Sequence, residues 1–336
     1  MQYFKSNRMP TIVVVIAAAI VLLTCVSQAE SVVATIPVSA PTGVDIDQLQ
    51  GLLYVGSWSG AITVVNEKTN KIVNTIHVGR EVGDLAVNPV TSRLYACNPI
   101  RGLVTVVDTR QNKIITTIPI RGGDGSPSSV VVNVRTNRIY VTDWERAVVV
   151  IDGATNNMIT EIYGPVLPTR LAINPITRRL YIADENYYGG VGVADTDTDQ
   201  FITEIFTPGM YTSGVAVDFV HHRVYATEET AIFNEAILTE IDATTNTVLR
   251  TLPVPNYLSN VAVDPFIRQI YAANTEMNTF NFSKLLVIDA KALSLVESFP
   301  TETYPAWLCV DPVRKMLYVS PVDGSNITVI STRKKR

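Results

Sequence analysis

The side chains best suited to holding a ligand in this 336-residue chain are its aromatics and arginines. Trp58, Trp144, Trp307, Tyr187, Tyr188, Tyr211, Tyr257, Tyr304, Phe280 and Phe282 fall in stretches between apolar, strand-like runs. Arg80, Arg101, Arg121, Arg146 and Arg170 fall in the same stretches. Aromatic rings stack on sugars, bases or peptide side chains, and arginine forks add paired hydrogen bonds. The ligand-binding set read from the sequence is therefore Trp58, Arg101, Trp144, Arg146, Arg170, Tyr187, Tyr188, Tyr257, Tyr304 and Trp307. A competing reading makes some of these rings plugs between packed elements.

Three acids form a second candidate group: Asp143, Asp184 and Glu228 recur at one position of a repeated pattern. Clustered carboxylates hold hard cations or work as acid and base. Equally, each one caps the loop that follows it, as Asn98 and Asn274 would at the same position. Asp195, Asp197 and Asp199 open like a calcium loop, yet Gln200 stands where the sharp turn needs glycine. The histidines, His77, His221 and His222, are too scattered for a zinc, copper or haem site. No nucleophile elbow, P-loop or dinucleotide fingerprint occurs in a strand–turn–helix setting, so no cofactor is expected.

The elements that position these residues follow from a repeat. Tyr54, Tyr95, Tyr140, Tyr181, Tyr225, Tyr271 and Tyr318 recur at spacings of 41, 45, 41, 44, 46 and 47 residues. Around each, four short runs rich in Val, Ile, Thr and Tyr are separated by turn residues, which favours strands over helices. Four strands per repeat of this length mark a propeller blade. One tyrosine per blade at a fixed strand position implies packing between neighbouring blades, with the hydroxyl satisfied locally. Asp or Asn opens a tight turn after the first and the third strand of each repeat, as Asn88, Asn174, Asp264 and Asp311 do, and Asp108, Asp152 and Asp242. These turns share one face, and the second-to-third-strand loops and the links between blades occupy the other.

The last repeat stops after three strands, and the missing one stands at the other end of the chain. Ser31–Val38 (SVVATIPV) closely matches Lys71–Val78 (KIVNTIHV). The expected fold is an all-β, seven-bladed propeller of four-stranded blades, its last blade closed by the N-terminal strand. Closure in this way leaves no unfinished sheet at the seam.

Residues 1–29 read as a secretory signal peptide: Lys5 and Arg8, the apolar run Thr11–Leu23, then Ser27-Gln28-Ala29 before the cut. Thirteen apolar residues are short of the roughly 20 that span a bilayer, so no transmembrane segment is expected after cleavage. Cys25 in LLTC makes a lipid anchor the minority alternative. Residues 30–336 form the single propeller domain and keep 25 basic and 31 acidic side chains, a net charge of −6. That balance opposes nucleic-acid coating through bulk charge. Arg333-Lys334-Lys335-Arg336 reads as a solvated tail, and Cys97 and Cys309 lie on strands of different rank, unsuited to a disulfide.

Repeats such as TNKIVNTIHVG, GDLAVNPVTSRLYACN and TNRIYVTD resemble the YVTN β-propeller repeats of exported bacterial and archaeal proteins. The resemblance covers residues 30–336, and the later blades depart from it in longer loops at 228–236 and 274–284. It implies the propeller fold and a place in the periplasm, outside the cell or at its surface. The expectation is a non-enzymatic binding or interaction protein with a glycan, peptide or nucleic-acid ligand on the aromatic face, and a protein partner remains open. The alternatives are a lactonase- or hydrolase-like enzyme with an acidic, metal-assisted site at the channel mouth, and a structural surface-layer component.

Overall fold

The computed structural model describes residues 31–333 other than 80, 145–146, 233–234, 276–282, 302–303 and 323. The signal-peptide and Cys25 readings lie outside the described residues, as do Arg80, Arg146, Phe280, Phe282 and the last three residues of the tail. Seven four-stranded antiparallel sheets stand around one axis as blades. In the third, the strands Pro127–Asn133, Arg138–Asp143, Ala147–Asp152 and Asn157–Ile162 run from the centre outward. The innermost strands are Pro41–Asp47, Leu85–Asn88, Pro127–Asn133, Pro168–Asn174, Met210–Asp218, Tyr257–Asp264 and Pro305–Asp311. Each touches its two neighbours, the seventh meeting the first. Among the described residues no helix is long and apolar enough to cross a membrane.

The seventh blade takes its outer strand from the N-terminal stretch, as expected. Ser31–Pro37 pairs antiparallel with Asn326–Ser331, Ile36 lying opposite Ile327. In the other six blades the outer pairing slips by one residue at an equivalent place, at Val64/Val65, Val106/Val107, Val150/Ile151, Val193/Ala194, Glu240/Ile241 and Val287/Ile288. The closing strand has the same bulge at Val329/Ile330. Ser31–Pro37 is thus a fourth strand in full, down to its irregularity.

The face of tight turns is built alike in every blade. Asp47, Asn88, Asn133, Asn174, Asp218, Asp264 and Asp311 each accept hydrogen bonds from the amides two and three residues on. Each such turn ends in a left-handed residue, Asn137 for example at φ 54°. That residue's carbonyl accepts from the amide opening the blade's other turn, as in Gly153 N to Asn137 O at 2.8 Å.

The seven repeated tyrosines are all buried, and four of their hydroxyls cross to the next blade. Tyr54 donates to the carbonyl of Thr109 (3.4 Å), Tyr140 to that of Thr196 (3.2 Å) and to Asp199 (2.8 Å), Tyr181 to that of Ala243 (3.2 Å), and Tyr318 to Glu67 (3.2 Å). The packing between neighbouring blades is as expected, and the local partner of these four hydroxyls belongs to the neighbour. The ring packs against a neighbouring sheet, so the hydroxyl emerges at that neighbour's turn. Two depart from this: Tyr271 donates to Gln269 of its own strand (3.5 Å), and the Tyr95 hydroxyl lacks a hydrogen-bond partner. Asp195–Asp199 is the ordinary turn after a third strand: Asp195 caps it, Asp197 pairs with Arg135 and Arg178, and Asp199 pairs with Arg138.

Two substitutions test this account. Ile36→Ala removes a fully buried anchor of the closing strand and should cost about 2–5 kcal/mol, read as a lowered denaturant midpoint. Tyr140→Phe keeps the packing but strips the partners from a buried carboxylate and carbonyl, at about 1–3 kcal/mol. An unchanged midpoint in either variant would mean that blade closure does not depend on that residue.

Candidate functional site

The opposite face carries the site, and the repeated tyrosine sets its geometry. Three residues after each tyrosine stand Ser57, Asn98, Asp143, Asp184, Glu228, Asn274 and Pro321, which end the second strands or lie within one residue of the end. The six polar members are 0–3% exposed. They fasten the backbone entering their own blades. Ser126 N donates to Asp143 (2.7 Å), Val166 N and Leu167 N to Asp184 (2.9 and 2.8 Å), and Gly209 N to Glu228 (2.7 Å). Asn98 and Asn274 donate to the carbonyls of Glu81 and Pro255, and Ser57 to that of Ser39. The Asp143–Asp184–Glu228 series is therefore a set of caps belonging to separate blades rather than a convergent acid cluster. Among the described residues no three His, Cys, Asp or Glu side chains converge on a possible metal position.

One residue further along, the strand turns its side chain to the other side. Trp58, Pro99, Trp144, Glu185, Glu229, Thr275 and Val322, four residues after each tyrosine, all line one funnel of about 730 Å³ at the mouth of the central channel. Every blade contributes one. Tyr257 and Tyr304 add to the wall, and Arg170 and Trp307, on innermost strands, reach its floor. Trp58 and Trp144 are 37% and 49% exposed. Trp307 was expected in the link entering the last blade, but it lies within the strand Pro305–Asp311, where it packs into the channel.

Below the funnel a smaller space of about 270 Å³ shares Arg170 and Trp307 and continues past Asp84, Ser129 and Asn260. The Arg170 guanidinium sits 5.3 Å from the Trp307 ring centre and 3.8 Å from Asp84. Asp84 also accepts from Ser129 Oγ (2.9 Å). A ring of hydroxyls ties the upper ends of the innermost strands: Thr42 donates to Val82 O, Ser213 to Leu258 O and Ser259 to Pro305 O.

Burial governs the charges here. It lifts Asp45, whose carboxylate accepts from Val87 N at 2.7 Å, to about 7, with the Asp84 charge adding to the rise. It lifts Glu228 to about 7 in the same way, and raises Asp84. At the mouth, Glu185 is raised by burial and then by the charge of Glu229, and Glu229 by burial. The Cys97 and Cys309 thiols, both unpaired, are pushed well up by burial.

The funnel thus gathers Trp58, Trp144, Arg170, Tyr257, Tyr304 and Trp307 from the expected set and leaves others aside. Arg101 is exposed in a short 3-10 turn, Pro99–Arg101. Tyr187 and Tyr188 stack edge to face with each other and Tyr187 with Tyr211, away from the funnel lining. Arg121 is held by Asp143 (2.5 Å) and Glu161 (3.0 Å). Sequence reasoning missed Glu185 and Glu229. The repeat carries the signal: strand alternation buries the third residue after each tyrosine and turns the fourth to the funnel.

No family model and no curated protein matches the chain. Among solved structures it is similar to one titled Kuenenia stuttgartiensis hydrazine synthase, with a TM-score of 0.77 and 18% identity over 92% of this chain and 100% of that one. At that identity the likeness is one of fold.

The raised carboxyls set the sign of the pH dependence. Asp45 and Glu228 keep protons in the folded state that the unfolded chain releases from about pH 4 upward. Their stabilisation is full below the unfolded values and is lost as pH rises through about 7. Asp152, held below its usual value by the amides of Thr155 and Ala154, acts only in more acid solution. Denaturation midpoints should therefore fall between pH 5 and 7.5, and Glu228→Gln should flatten the slope. A midpoint that rises over this range would contradict it.

Proposed function

We propose that the chain works as an exported, non-enzymatic binding propeller of the periplasm or cell surface, taking its ligand in the funnel. The supporting observation is the convergence of one side chain from each of seven blades, two tryptophans among them, on a single space of about 730 Å³. Ligand pockets commonly have volumes of roughly 300–1,000 Å³ with apolar walls and a few placed polar groups. The resemblance to YVTN repeats and the signal-like residues 1–29 support the exported setting. A glycan or a peptide suits the indole and phenol rings of the wall. The net charge of −6 over residues 30–336 and the two glutamates at the mouth weigh against nucleic acid. A hydrolytic reading has less support, because Asp143, Asp184 and Glu228 hold backbone amides.

Residues 30–336, titrated with neutral glycans and cell-wall peptides at one salt concentration, should show a saturable blue shift of tryptophan emission. Trp144→Ala should weaken the responding ligand at least about tenfold, as loss of an aromatic anchor does. Arg101→Ala, outside the funnel, should leave affinity within about twofold. Equal effects of the two substitutions would place the ligand elsewhere, and silence across the probes would remove the funnel as a binding site.

A further inference from the structure

The seven funnel residues are unevenly distributed. Trp58, Pro99 and Trp144 belong to blades one to three, Glu185 and Glu229 to blades four and five. In a ring of seven, blades four and five lie across the opening from blade one, so the two carboxylates face the Trp58 side. Neither carboxylate takes a salt bridge or side-chain hydrogen bond from the described residues. Arg170 is the one cation in the described lining; it pairs with Asp84 and the Trp307 ring, and its charge acts on Glu185 without forming an ion pair. The funnel therefore holds two partly desolvated acids without an ion-pair partner among the described residues, across the opening from Trp58 and next to Trp144.

We infer that the funnel selects an organic cation of the ammonium type, a quaternary or protonated primary amine, either free or carried on a lysine side chain. This rests on the funnel being the binding site. The indoles of Trp58 and Trp144 and the phenol of Tyr257 offer π faces that attract such a cation. The Glu185–Glu229 pair provides the counter-charge, which the single Arg170 of the described lining offsets only in part. A cation entering between the two acids offsets the burial and the Glu229 charge that raise Glu185. An anionic ligand would meet the same two carboxylates as repulsion. A neutral sugar would stack on the rings and leave the acids as they were.

Calorimetric titration of residues 30–336 with choline, a blocked Gly-Lys-Gly peptide, its Nζ-acetylated counterpart, maltotriose and a single-stranded oligonucleotide tests this. Choline or the lysine peptide should bind saturably, and the acetylated peptide at least about tenfold more weakly than the free lysine form. Choline binding without peptide binding would identify a free small cation, and the reverse a lysine side chain. Glu185→Gln with Glu229→Gln, near-isosteric and at the mouth, should abolish the preference while leaving the melting transition in place. The inference is overturned if both cationic probes are silent or if the double variant binds them like the wild type. Maltotriose or oligonucleotide binding with silent cations would overturn the charge reading alone, whereas silence of every probe would overturn the binding site as well.

Discussion

Each blade has two apolar sides that only its neighbours can cover, and the repeated tyrosine is where that dependence is tightest. Its ring fills the gap between two sheets, and in Tyr54, Tyr140, Tyr181 and Tyr318 its hydroxyl ends on the neighbour's turn. A buried phenol without such a partner loses the hydrogen bond it had in water. Blade spacing and blade rotation are therefore coupled around the ring. The hydrophobic clusters repeat the message, most of them drawing residues from two adjacent sheets. No blade is complete without its neighbours, so the ring has to close, and the strand Ser31–Pro37 closes it.

That closed ring leaves one end of the molecule uniform and the other free to vary. Both tight turns of every blade are tied to each other through a left-handed residue and an aspartate or asparagine, which gives seven nearly identical corners. At the other end the caps Asp143, Asp184 and Glu228 fix the incoming backbone, and the next residue in each strand is held at a set height over the channel. The scaffold determines where Trp58, Trp144, Glu185 and Glu229 stand. Which residue stands there is left to the individual blade, and the unevenness of the funnel follows from that freedom.

Much of this was legible in the sequence because it is periodic. The seven tyrosines, the Asp and Asn turn residues and the likeness of SVVATIPV to KIVNTIHV specify blade number, turn position and closure without any long-range information. The site was read only in part. Trp58 and Trp144 stood out by residue type, but Glu185 and Glu229 are unremarkable glutamates until strand alternation separates them from the buried acids beside them. Arg101, Tyr187 and Tyr188 drew notice by chemistry alone, and chemistry does not say whether a loop leans over the channel or away from it. The placement of Trp307 within a strand escaped notice because its run, Pro305–Asp311, begins with the Tyr304-Pro305 pair that reads as a link.

The bulged closure has a mechanical consequence. Ser31 lies opposite Ser331, so the chain enters and leaves the ring at the same end of one antiparallel pair. A load applied across the two ends would peel that pair one hydrogen bond at a time from Ser31 towards Pro37, meeting the bulge at Val32/Ala34 almost at once. A sheared pair shares force over all its bonds, whereas a peeled pair bears it at a single bond. Tension between the flanking segments would thus open the seventh blade first, at its outer edge and from the face of tight turns upward, while a pull on any other blade would meet intact sheets. The seam that completes the ring is also where it yields to force.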